Sequence, residues 1–241
     1  MTERDSRLRF EVPLYTITEA ARIVDVPVST LTNWAQGYVR QFKDRPQVVG
    51  DPIVTYLEPE GPRRPSIPFV GLTEATVLAA VRRSGVPMQR IRPALEALED
   101  RLGLEHALAS RSLYTDGAEL LYDFGETHSD RLEGRAALEL VVVRSGQRVF
   151  TEAIQEYLRR IEYGVDGYAN LIHVPVYSQA EVVVDPTRSF GAPIFERGGS
   201  RIDDVLQRFW AGESLDELSD EYGVPLNHLE DVLRVASRRA A

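Results

Sequence analysis

Thr30, Asn33 and Gln36 recur every third residue, and each is an uncharged side chain with hydrogen-bonding atoms. At 3.6 residues per turn such a set shares one face of a helix. Amides and hydroxyls presented together are the chemistry that reads base edges in a major groove. Val28, Leu31 and Trp34 interleave with them and form an apolar face to hold the helix down. A cationic set lies downstream: Arg40, Lys43, Arg63 and Arg64. Their charges suit phosphate oxygens, contacts that position a protein on nucleic acid without reading sequence. A third set is Arg234, Arg238 and Arg239. These can pair with a partner's carboxylates, or can simply complement the dipole of a last helix.

Elements must hold these residues in place. Thr18 reads as an N-cap, with Glu19, Ala20, Ala21 and Arg22 opening a short helix. Asp25-Val26-Pro27 ends it, because Pro27 lacks an N–H and pushes Val26 out of the α region. A second helix restarts near Ser29 and stops at Gly37. Two short helices about a tight turn, the second with an uncharged polar face, fit a helix-turn-helix. A helical hairpin packed on its own domain is the plain alternative. Residues 53–57 and 66–70 read as paired strands around the breaker-rich 58–65, a wing with Arg63 and Arg64 near its tip.

Farther on, a helix opens at Thr73, Gly85-Val86-Pro87 breaks it, and 88–102 continues with Ile91, Leu95 and Leu98 on one stripe. Residues 113–124 place Asp116-Gly117 between strand formers, a type I′ hairpin signature. Residues 138–143 read as a buried strand, Ser145-Gly146-Gln147 as a turn and 149–161 as an amphipathic helix. A second hairpin is expected from 181–185 and 192–195. Helices follow at 202–210, after Ser214, which forms a capping box with Glu217, and at 226–236. The fold class is α+β, mostly helical. Residues 1–110 form a winged helix-turn-helix, 111–180 a central α+β region with hairpins, and 181–241 a small helix-turn-helix-like domain.

The breakers at 25–27, 85–87 and 223–225 occupy equivalent places, three copies of one unit by pattern. Their outer faces differ. The first is uncharged, the second carries Arg82, Arg83, Arg90 and Arg92, and the third carries Asp216, Glu217, Asp220, Glu221, Glu230 and Asp231. Carboxylates repel phosphate, so the third unit is expected to bind protein, with plain solvation as the competing reading.

The net charge is −9, but residues 1–110 hold 14 basic against 14 acidic side chains and residues 111–241 hold 14 against 23. Only the front is electrostatically free to approach DNA. The absence of cysteine excludes disulfides, thiolate metal sites and cysteine nucleophiles. The charged N-terminus has no signal-peptide character and the apolar runs are too short to span a bilayer, so the expected location is cytoplasmic. His106, His128, His173 and His228 lack metal-ligand spacing, and Gly198-Gly199-Ser200 lacks the lysine of a P-loop. No enzyme, metal or cofactor is expected.

Residues 14–96 resemble the MerR-type winged helix-turn-helix, through Tyr15-Thr16-Ile17 before Glu19-Ala20-Ala21, then Leu31, Trp34 and Phe69-Val70, with Gly85-Val86-Pro87 and Ile91-Arg92 beyond. The chain departs from MerR regulators in lacking a cysteine pair and a long coiled coil. Residues 181–236 resemble a small bacterial domain family of unknown function, through Val183-Val184-Asp185-Pro186, Phe190-Gly191-Ala192-Pro193 and Ala211-Gly212-Glu213-Ser214-Leu215. The layout is similar to a VapB-type antitoxin. That resemblance implies a VapC-type PIN-domain ribonuclease as partner, held by Arg234, Arg238 or Arg239. It also implies operator DNA bound by a homodimer, with Thr30, Asn33 and Gln36 on bases and Arg40, Lys43, Arg63 and Arg64 on phosphates. The rival expectation is a stand-alone MerR-like regulator with a small ligand in the tyrosine-rich middle, where Tyr114, Tyr122, Tyr157, Tyr163, Tyr168 and Tyr177 crowd.

Overall fold

Local chemistry at the helix starts sets much of the architecture. The computed structural model describes residues 3–41, 47–144 and 147–240. Helix α1 (Glu3–Phe10) is followed by α2 (Ile17–Ile23), whose cap is Thr16 rather than Thr18. Glu19 N–H donates to the Thr16 hydroxyl at 3.2 Å, and the Thr16 N–H donates back to the Glu19 carboxylate at 2.8 Å. That capping box satisfies N–H groups that the first helical turn leaves free. Helix α3 (Val28–Gln36) crosses next and buries Leu31, Trp34 and Ala35. Val28, expected on the same apolar face, is 44% exposed.

The wing expected at residues 53–70 is not a strand pair. Strands β1 (Tyr38–Arg40) and β2 (Val48–Gly50) form an antiparallel hairpin directly after α3, with Val39 opposite Val49. Residues 51–68 run as irregular chain, closed by the Leu57 N–H donating to the Ser66 carbonyl at 2.8 Å and by a bridge between Tyr15 and Ile67. Competition for the backbone explains the difference. The Thr55 N–H donates to the Glu74 carboxylate at 2.6 Å and is lost to any ladder.

Helix α4 (Phe69–Arg83) begins at Phe69, four residues before the expected Thr73, because Pro68 leads directly into it. Every residue from Phe69 to Val81 is buried, so α4 is the hub against which α1, the Ala107–Ala109 turn and the later helix Glu152–Leu158 pack. Helix α5 spans the expected Met88–Leu102. The expected hairpin at 113–124 is instead inside helix α6 (Arg111–Thr127), with Leu113, Gly117, Leu121 and Phe124 along its buried stripe. Helical periodicity outweighs the turn propensity of Asp116-Gly117 because Gly117 lets α6 approach Phe150 closely. Helix α7 (Leu132–Leu138) packs on α5 and α6.

Strands β3 (Val141–Arg144) and β4 (Gln147–Phe150) pair antiparallel. The expected turn residues Ser145 and Gly146 lie outside the described residues, and the buried strand expected at 138–143 keeps only its start inward, since Val142 and Val143 are exposed. Helix α8 (Glu152–Leu158) is shorter than expected because the chain turns into β5 (Ile161–Tyr163). That strand heads a four-stranded antiparallel sheet with β6 (Ala169–His173), β7 (Val182–Val184) and β8 (Ile194–Phe195). The β7–β8 pair is the second expected hairpin. Helices α9 (Ile202–Trp210), α10 (Leu215–Tyr222) and α11 (Leu226–Ala240) follow, α10 with the Ser214–Glu217 capping box.

The architecture is thus mixed, eleven α-helices with small antiparallel sheets among the described residues and a helix-turn-helix at the front. The three repeated breakers are one structure. Asp25, Gly85 and Gly223 all have positive φ, at 56°, 86° and 63°. The prolines that follow accept the N–H of Thr30, Arg90 and His228, each at 2.9 Å, and Leu31, Ile91 and Leu229 are buried one turn into each second helix. No helix among the described residues is long and apolar enough to cross a membrane.

Candidate nucleic-acid interface

With Leu31, Trp34 and Ala35 fastened to the core, α3 turns the opposite face outward. Ser29 and Gln36 are exposed, and Thr32 and Asn33 are half-buried between them. These four recur at the helical spacing of three and four residues, so the outward stripe is Ser29, Thr32, Asn33 and Gln36. Asn33 and Gln36 are therefore where the sequence places them. Thr30 is turned toward α4, and its hydroxyl accepts from Arg82 Nη1 at 3.1 Å. Ser29 and Thr32 escape a strict three-residue count; alternating three and four would have found them. The Thr32 hydroxyl donates back to the Val28 carbonyl at 2.9 Å, leaving its oxygen lone pairs outward-capable.

The segments that carry the cations leave α3 and return toward it. Arg40 lies on β1 opposite Val48, in the hairpin that leaves α3, and Lys43 lies outside the described residues. Arg63 and Arg64 are exposed at the tip of the irregular 51–68 segment, where Arg63 has φ 60°. That tip curls back to the helix-turn-helix. Arg63, Arg64, Tyr56 and Gln36 line one open cleft of about 480 Å³ with the start of α2. Gln36 Nε2 donates to the Tyr56 hydroxyl at 3.1 Å, which ties the arginine-bearing loop to the end of α3.

The second basic set is mostly committed within the fold. Arg92 is buried and donates to the Asp51 carbonyl, fixing the chain after β2. Arg83 pairs with Asp25 at 2.6 Å and lies over the Tyr157 ring. Arg82 and Arg90 remain exposed, Arg82 beside α3.

The third face is less acidic than its sequence. Asp231 is buried and accepts the N–H groups of Ser178, Gln179 and Ala180 at 2.7, 2.7 and 3.1 Å. Burial pushes its carboxyl up, but these donors prevail and hold it below the usual aspartate value. Glu217 closes the cap on α10, and Glu221 pairs with Arg208 at 2.6 Å. Asp216, Asp220 and Glu230 are the exposed remainder. Among the terminal arginines, Arg234 pairs with Asp231 at 3.2 Å, Arg239 donates to the Arg22 carbonyl at 2.8 Å, and Arg238 is exposed on the last turn of α11.

Comparison with known proteins agrees with this geometry. The family described as "Putative DNA-binding HTH domain" matches residues 13–95, the span from the approach to α2 into α5. A Mycobacterium tuberculosis protein named "Putative antitoxin VapB45" is 46% identical over 235 residues, covering 96% of this chain and 97% of its own. The chain belongs to the VapB45 family. A further relative from the same organism, "Uncharacterized protein Rv2308", is 30% identical over 237 residues, 91% of this chain and 88% of its own. The crystal structure of Rv2018 from Mycobacterium tuberculosis is 44% identical, covers 94% of this chain and 100% of its own, and superposes with a TM-score of 0.84. Membership of the VapB45 family therefore embraces the helix-turn-helix and the C-terminal helices together, as one architecture.

Proposed function

We propose that this chain is the antitoxin of a type II toxin–antitoxin pair, neutralising a VapC-type PIN-domain ribonuclease and repressing its own operon. The near full-length identity to a protein named an antitoxin carries the reading, and the helix-turn-helix with an uncharged outward stripe supports its DNA-binding half. A homodimer places two copies of α3 on a two-fold operator. Asn33 and Gln36 contact base edges, joined by Ser29 and Thr32, while Thr30 is braced by Arg82. Arg40, Lys43, Arg63 and Arg64 hold phosphates in the manner of a MerR-type wing. The toxin docks on the C-terminal segment, where Arg238 is the terminal arginine free to enter its carboxylate cluster, with Arg234 and Arg239 bracing the last helix.

Binding to the DNA upstream of its own gene tests the first half. Asn33→Ala costs about 1–3 kcal/mol on the operator and little on unrelated DNA. The double variant Arg63→Ala, Arg64→Ala weakens both and reduces the salt slope by about 2, one for each lost phosphate contact. Co-expression with the neighbouring genes tests the second half. A stoichiometric ribonuclease, inhibited by the full chain and released by Arg238→Glu, is the expected result. A chain that purifies alone but still binds its operator would point instead to a stand-alone regulator.

A further inference from the structure

A cleft of about 300 Å³ lies between the first helix of the helix-turn-helix and the C-terminal helices, which the Arg239–Arg22 contact joins at its edge. Its apolar wall includes Leu14, Ile23, Val174 and Ile202. Its cations come from three separate elements: Arg22 from α2, Arg201 from the start of α9 and Arg239 from the end of α11. Among the described residues these three guanidiniums make no ion pair, and Arg239 is held in place by the Arg22 carbonyl. Two carboxylates also line the cleft. Glu19 is committed to the Thr16 cap, which leaves Asp203 as the counter-charge. Three cations against two carboxylates, one of them already satisfied by the cap, make a locally positive site on a chain of net charge −9.

The opposite rim is strained. Ser189, Phe190 and Gly191 have φ of 47°, 53° and 75°, consecutive left-handed residues of which two carry side chains. Such backbone persists only where its surroundings enforce it, and it concentrates at ligand clamps. Tyr15 supplies the enforcement, its hydroxyl donating to the Gly191 carbonyl at 2.9 Å. A Cβ at Gly191 would overlap that hydroxyl, so the close approach requires glycine. The turn leaves Phe190 86% exposed on the cleft's edge.

We propose that this cleft binds a small organic anion, a carboxylate or phosphate ester with an apolar body. Arg22, Arg201 and Arg239 take the charged group, and the apolar wall and Phe190 take the body. Because Arg22 belongs to α2 while the other two belong to the C-terminal helices, the bound anion cross-links the DNA-reading unit to the rest of the chain. The proposal goes beyond the antitoxin reading, and its test uses neither toxin nor operator.

Calorimetric titration and thermal unfolding of the full chain with benzoate, phenyl phosphate, inorganic phosphate and uncharged benzyl alcohol decide it. Benzoate or phenyl phosphate binds saturably with Kd of about 1 mM or tighter and raises Tm. Whichever of the two binds more tightly identifies the charged group. Benzyl alcohol and inorganic phosphate bind at least about tenfold more weakly, lacking the charge or the body. Arg22→Gln and Arg201→Gln, both at exposed positions, each weaken binding about tenfold, while the double variant Arg63→Gln, Arg64→Gln leaves it unchanged. The proposal is overturned by the absence of saturable binding of either aryl anion, or by equal binding of benzyl alcohol. Binding that survives both cleft substitutions, or that disappears with Arg63 and Arg64, overturns it equally.

Discussion

Asp231 and His106 are titratable side chains sunk into the fold, and their environments act in opposite directions. Asp231 gathers three backbone N–H groups and the Ser178 hydroxyl, so its charged form is the one the fold requires. Asp231→Ala leaves those donors unpaired in the interior and is expected to cost about 2–4 kcal/mol in urea unfolding. Its carboxyl is held below the usual value, so its contribution is complete above the ordinary aspartate range and is lost as pH falls through the lowered one. His106 has the reverse sign. Its Nδ1 lies 3.0 Å from both the buried Glu74 carboxylate and the Thr55 hydroxyl, and the Glu74 bond raises its imidazole against the opposing effect of burial. The stabilisation is complete below the ordinary histidine value of about 6.5 and fades as pH rises through the raised one. Unfolding midpoints of the native chain should therefore fall across that interval, and His106→Gln should flatten the fall. An unchanged slope in the variant would remove His106 from the account.

Three turns of one design join pairs of helices, and they show what sequence can and cannot reveal. Their glycine or aspartate, valine and proline are chemically local, which is why the turns, and the helices α5 and α9, could be read directly from breakers and periodicity. Gly223→Ala forces a side chain into left-handed backbone and should lower stability by about 1 kcal/mol in thermal unfolding. At the equivalent Asp25, substitution by glycine relieves strain but removes an exposed pair with Arg83, so Asp25→Gly should change stability by under about 0.5 kcal/mol. Equal losses at both positions would mean that left-handed strain is not what distinguishes them. Elements determined by distant contacts were not legible. Residues 53–57 have the composition of a strand, yet Thr55 surrenders its N–H to Glu74. Asp116-Gly117 has the signature of a hairpin, yet Gly117 serves close approach to Phe150 inside α6. The polar outward face of α3 was legible in type, through Asn33 and Gln36. Its precise stripe depended on which way Trp34 and Leu31 anchor the helix, and the commitments of Asp231, Arg92 and Thr30 are tertiary facts with no local signal.

Across the whole molecule, the helix-turn-helix end is tied into the remainder at several separated points. Tyr15 holds Gly191, Arg239 holds the end of α2, and Arg9 of α1 reaches Asp166 in the β5–β6 connection at 2.7 Å. A contiguous apolar core accompanies them, running from Tyr15 to Val232. This construction allows an event at the C-terminal helices to be felt at α2, because the two share contacts and not merely a linker. Arg9 makes several of these contacts at once. Its side chain is 3% exposed, also donates to the Ala169 carbonyl at 3.2 Å and lies over Phe10, whose ring meets Tyr168 edge-on. Removing one member of a buried ion pair leaves the other uncompensated, so Arg9→Ala is expected to cost about 3 kcal/mol. If the ties make one cooperative body, unfolding of the variant monitored by Trp fluorescence and by far-UV dichroism gives one coincident transition at a lower midpoint. Trp34 reports on the helix-turn-helix and Trp210 on the C-terminal helices. A separation of the two transitions in Arg9→Ala would show instead that the contacts of α1 are needed for the two ends to unfold as one body.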